Sequence, residues 1–156
     1  MRCLRGLAIL SMAVCLPACN GGGSGPTPVP TPTPTPAPVT RNIYSAPFTV
    51  PAGAAGLVGI GVVDVSVPSA GLVEVLFDYT FATSDIDMVV TTTTCTDPVA
   101  AYTGACTTLG SERDPPNASK RSRVAFQVTV ASNIRIWIFV FTPDQESGIL
   151  NVFLTS

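Results

Sequence analysis

From residue 41 to the C-terminus, apolar and polar residues alternate with a period of two, the spacing at which side chains fall on opposite faces of a β-strand. The first run, 43–50, is interrupted by Pro47 and closed by Pro51-Ala52-Gly53. Val58, Ile60 and Val62 then share one face, with Gly59 and Gly61 between them. After Val62 the apolar phase slips to Val63, Val65 and Val67, which predicts a β-bulge or a bend between sheets. Pro68-Ser69-Ala70-Gly71 reads as a turn. Over 72–82, Val73, Val75, Phe77, Tyr79 and Phe81 oppose Glu74, Asp78 and Thr80. Thr83-Ser84-Asp85 turns the chain, and Ile86, Met88 and Val90 alternate with Asp87, Val89 and Thr91. The stretch 95–116 is polar and irregular. Val124, Phe126, Val128 and Val130 form the next strand, and Ala131-Ser132-Asn133 turns it. The run 134–142 is apolar on both faces, which predicts a central strand. After a turn at 143–148, residues 149–154 form the last strand.

No helical periodicity competes with this pattern. Seven to eight strands with turns at such spacing predict an all-β fold, an antiparallel β-sandwich of jelly-roll-like type. An immunoglobulin-like order fits the pattern less well, because Trp137 follows both cysteines of the domain rather than lying between them.

Before residue 41 the pattern is different. Arg2 and Arg5 precede an apolar run of about eleven residues, far short of the about 20 needed to span a bilayer, so 1–18 reads as a signal peptide. Residues 19–40 are rich in Gly, then alternate Pro with Thr, Val and Ala. Such a segment is an extended polyproline-II tether of about 3.1 Å per residue. Residues 41–156 are left as the folded domain. Leu16-Pro17-Ala18-Cys19 resembles the bacterial lipobox, with Pro17 where that family carries Ala or Ser. The resemblance implies a lipidated Cys19, a stable membrane anchor and a place in the bacterial cell envelope. Asn20, not Asp, after the cysteine favours the outer membrane.

Charge narrows the partners. From residue 41 onward six cations stand against ten acids, a net charge of −4, which argues against nucleic acid. Histidine is absent, so the commonest general base and the usual zinc ligand are missing. Cys3 and Cys15 leave with the leader and Cys19 is the anchor. That leaves Cys95 and Cys106, an even pair in an exported chain, to form a disulfide. Ser119-Lys120 has no supporting catalytic pattern, and the expectation is a domain that is not an enzyme. Calcium needs several hard oxygens, which Asp85 and Asp87 with Asp97 or Asp114 would supply. The simpler reading has Asp85 capping a turn and Asp87 facing solvent. Tyr44, Tyr79, Tyr102 and Trp137 are the candidates for stacking on carbohydrate. Tyr79 and Trp137 lie in strands and are expected in the core, which leaves Tyr102 in the disulfide loop. Lys120, Arg121 and Arg123 form a small basic loop cluster.

A second resemblance rests on residues 75–81 followed by Ser84-Asp85-Ile86-Asp87-Met88-Val89-Val90. It is similar to the strand pair of bacterial pre-peptidase C-terminal domains, which carry an apolar strand and then Asp-Leu-Asp-Leu-Tyr. That resemblance implies a non-catalytic jelly-roll-like sandwich of the kind attached to secreted hydrolases, some of which bind calcium or polymeric substrate. The expected function is a cell-envelope lipoprotein that displays a binding domain on a Pro-rich stalk, toward an envelope protein or polysaccharide. The alternative is a calcium-stabilised carbohydrate-binding accessory domain working beside secreted hydrolases.

Overall fold

The computed structural model describes residues 35–53, 57–80, 85–113 and 121–156. The expected leader, the lipobox-like stretch with Cys19 and most of the expected tether lie outside the described residues. Pro36–Ser156 forms a compact unit. Val39, at the end of the tether, exchanges two backbone hydrogen bonds with Ser156. The polypeptide therefore enters the domain beside its own C-terminus.

Eight strands and one short helix follow in the order β1 (Thr40–Val50), β2 (Gly59–Val67), β3 (Gly71–Tyr79), β4 (Ile86–Thr92), α1 (Pro98–Thr103), β5 (Thr108–Glu112), β6 (Arg121–Val128), β7 (Ser132–Val140) and β8 (Glu146–Thr155). One sheet has the order β1-β8-β3-β6 and the other β2-β7-β4-β5. Every pairing is antiparallel. Successive strands cross from sheet to sheet, except β4 and β5, which pair as neighbours. This order is a jelly roll, and it settles the topology that alternation alone left open.

The core lies between the sheets, built from Val73, Val75 and Phe77 of β3, Ile134, Ile136 and Ile138 of β7, and Leu150, Val152 and Leu154 of β8, among others. The central place of β7 follows from its sequence: both faces are apolar and both are covered. Pro47 is accommodated within β1 because β1 is an edge strand, where a missing N–H costs no ladder bond.

Three expectations change. The phase slip after Val62 is not a bulge, since β2 pairs with β7 without interruption from Gly59↔Val140 to Val67↔Ser132. Instead Gly59 and Gly61 face the core, while Ile60 and Val62 face outward. A Cβ on Gly61 would lie 2.7 Å from Phe48 Cε1, so the Phe48 ring of β1 occupies the space a side chain would need. The irregular stretch 95–116 contains both α1 and β5. The basic cluster is not wholly loop: Arg121 and Arg123 belong to β6 and pair with Asp78 and Glu74 of β3.

Candidate functional site

On the β2-β7-β4-β5 sheet, the outward side chains of three strands line up in rows fixed by register. Ile60, Phe139 and Asp87 make one row, Val62, Trp137 and Val89 the next, and Asp64, Arg135 and Thr91 the third. The first two rows are largely apolar, although they lie on the face away from the sandwich core. The segment 95–106 covers part of them. Cys95 and Cys106 are joined by a disulfide, and α1 lies between them. The helix starts where Asp97 Oδ1 accepts the Val99 N–H at 2.8 Å with Pro98 behind it, and ends at Gly104 in the left-handed region (φ 80°).

Beneath this stapled segment lies a second, smaller core of Val89, Cys95, Ala101, Trp137 and Phe139. Trp137 is buried as expected, but here rather than between the sheets. Its indole N–H donates to Thr91 Oγ1 at 3.1 Å. Arg135 ties the pieces together. It grips both carboxylate oxygens of Asp64 at 2.7 Å, donates to the Cys95 carbonyl at 2.8 Å, and lies 5.7 Å from the Trp137 ring centre. The hydrogen bond from Arg135 holds the Asp64 carboxyl below its ordinary value of 3.8 against the opposing effect of burial, and raises the Arg135 guanidinium in turn.

Where α1 stops short of β2, a groove opens. Phe139 and Phe141 floor it. Leu57, Val58 and Ile60 form one wall, and Pro98, Val99 and Tyr102 the other. Its volume is about 340 Å³. Leu57 and Val99 are two-thirds exposed, which is uncommon for residues of their size grouped on one surface. Tyr102 packs edge-on against Phe139 with ring centres 5.0 Å apart, and the Arg113 guanidinium sits 4.5 Å above its ring.

The candidate residues separate. Asp87 does not face solvent: it is 3% exposed, and its Oδ2 accepts the Tyr102 hydroxyl at 2.9 Å. A short covered segment above it removes it from water, which alternation cannot reveal. Asp97 caps α1. Asp85 is exposed just before β4, and its carbonyl accepts the Phe141 N–H. Asp114, Ser119 and Lys120 lie outside the described residues. Among the described residues no three acids, cysteines or histidines come together as a cation site. Tyr102 stands half-buried at the groove wall, while Tyr44 is half-buried against the main core and Tyr79 lies within it. The groove residues that sequence reasoning missed are Leu57, Val58, Ile60, Val99 and Phe141. Their signal was present as apolar residues flanking glycines and a helix too short to show a period.

No protein-family model matches the chain, and no curated protein does. Among solved structures, the C-terminal CBM6 of LamC, a marine laminarinase from Zobellia galactanivorans, is similar at 12% identity. It covers 74% of this chain and 98% of its own, with a TM-score of 0.37. The Arthrobacter globiformis T6 isomalto-dextranase complexed with panose is similar at 13% identity over 67% of this chain and 17% of its own, with a TM-score of 0.32. At such scores nothing about the site is carried across.

Proposed function

We propose that the protein is a non-catalytic binding lipoprotein of the bacterial cell envelope. Cys19 anchors it in the membrane, the Thr-Pro tether raises the sandwich off the surface, and the outer groove of the β2-β7-β4-β5 sheet docks apolar side chains of a partner polypeptide. The observation that carries this reading is the groove lining, in which eight apolar or aromatic residues converge on the outer face of the sheet. A sugar would ask for hydroxyl partners beside an aromatic ring. Phe139 and Phe141 carry no hydroxyl, and the Tyr102 ring has its hydroxyl donated to Asp87 and the Arg113 guanidinium over one face.

The test uses two probe sets on the full chain in detergent: blocked peptides of alternating valine and threonine, and a panel of soluble β- and α-glucans. Peptide binding that is lost in Val99→Lys and in Phe141→Lys, while both variants keep the melting temperature of the parent, supports the reading. Glucan binding without peptide binding overturns it in favour of the carbohydrate-binding alternative. Binding of neither, or peptide binding indifferent to both substitutions, removes the groove from function.

A further inference from the structure

We infer that β2 is the seam through which two copies of this chain pair, edge to edge and antiparallel, into one continuous sheet of eight strands. The inference rests on a comparison of the four sheet edges, not on the groove.

A sheet edge presents a row of unpaired N–H and C=O groups, and proteins that stay single protect such rows with proline, bulges, brevity or charge. Three of the four edges here are protected in those ways. The β1 edge carries Pro47 and a register shift between Asn42 and Tyr44. The β5 edge has five residues and a register shift opposite Val90 and Thr91. On the β6 edge a charged side chain from β5 blocks the row: the Arg123 N–H already donates to the Glu112 carboxylate.

β2 has none of these. It is nine residues long, GIGVVDVSV, with four valines, no proline and no lysine or arginine. Its register with β7 is unbroken, and among the described residues β7 is its one neighbour in the sheet. Its single charge, Asp64, is turned onto its own sheet and gripped by Arg135, so it does not repel an incoming strand. Ile60 and Val62 stand outward, 37% and 49% exposed. Side chains alternate with a period of two, so an antiparallel copy that keeps its core-facing side inward also presents its own Ile60 and Val62 outward. The apolar strip then runs on across the seam. A second copy supplies that strand by symmetry, and a two-fold interface is self-complementary by construction.

The experiment is size-exclusion chromatography with light scattering on the full chain in detergent, from low micromolar to the highest soluble concentration. The expected result is twice the monomer mass, reduced to the monomer mass by Val62→Lys and unchanged by Leu72→Lys, an exposed apolar position on the opposite sheet. If Val62→Lys fails to fold, amide exchange on the unaltered chain replaces it, and the β2 amides become more protected as concentration rises. A parent that is monomeric throughout, a dimer that survives Val62→Lys, or β2 exchange independent of concentration overturns the proposal. A dimer that forms without binding any peptide leaves the groove reading to fail alone.

Discussion

Replacing Cys95 and Cys106 together by alanine is expected to open the segment over the sheet before the sandwich itself unfolds. The bond closes a short loop, with a sequence separation of 11. In the chain-entropy account, removing it returns roughly 3 kcal/mol of freedom to the unfolded chain. What remains to hold the segment is small. α1 has six residues, far below the length at which a helix persists alone. Ala101 is its one fully buried side chain, joined by the half-buried Tyr102 ring and the Arg135 bond to the Cys95 carbonyl. Trp137 is the chain's single tryptophan and lies 4% exposed beneath the segment, so its emission reports this event directly. In the variant the emission shifts to the red at temperatures where the far-ultraviolet β signal is still intact. The final melting temperature falls by on the order of 10 °C for a domain of this size. The reasoning fails if emission and unfolding coincide, or if the loss is under about 0.5 kcal/mol, the level of an ordinary surface substitution.

Other substitutions probe the remaining contacts. Tyr102→Phe leaves the buried Asp87 carboxylate without the phenol that donates to it, and is expected to cost about 1–3 kcal/mol in a urea titration. Among the described residues the Tyr79 hydroxyl is buried with no hydrogen-bond partner, so Tyr79→Phe is expected to raise stability by about 1 kcal/mol. Burial, and then the charges of Glu112, Glu146 and Asp85, push that phenol above its ordinary 10. Its contribution is therefore whole below pH 10 and lost as pH rises through the folded value, and the substitution should flatten the alkaline limb of a stability profile. Asp64 carries the opposite sign. Its lowered carboxyl stabilises the fold above the ordinary value of 3.8 and ceases to do so as pH falls through the folded value, so Asp64→Asn should flatten the acid limb. Gly61→Ala should cost roughly 1–3 kcal/mol by crowding Phe48, and Phe48→Leu in the same chain should recover part of it in a double-mutant cycle.

Much of the sandwich is legible in the sequence because its central strands bury one or both faces. Val73, Val75 and Phe77 announce β3, and the doubly apolar β7 announces its own central place. Period two divides a strand into two faces without saying which is inside. Ile60 and Val62 are large apolar residues of β2, yet they point outward, because the ring of Phe48 on the preceding strand lies where a Gly61 side chain would go. α1 left signals too, with Asp97-Pro98 at its start and Gly104 at its end, but six residues show no period. β5 reads TLGSE, and its place in the sheet comes from pairing with β4 rather than from any alternation of its own.

The two sheets treat their outer faces differently. On the outer face of β1-β8-β3-β6, Arg121 pairs with Asp78, Arg123 with Glu74, and Thr40 with Thr155, while Ser45 donates to Asn151. That face is mostly polar and ordinary. The outer face of the other sheet holds Val62, Trp137, Val89, Ile60 and Phe139 in adjacent rows. The stapled segment covers the rows over β4 and β7 and stops before β2. Leu57, Val58, Ile60 and Phe141 are left at the surface beside it. Cover that ends midway across an apolar face produces a groove, and one of its walls is held by the Cys95–Cys106 crosslink. The docking of a partner polypeptide proposed above rests on this partly open apolar surface.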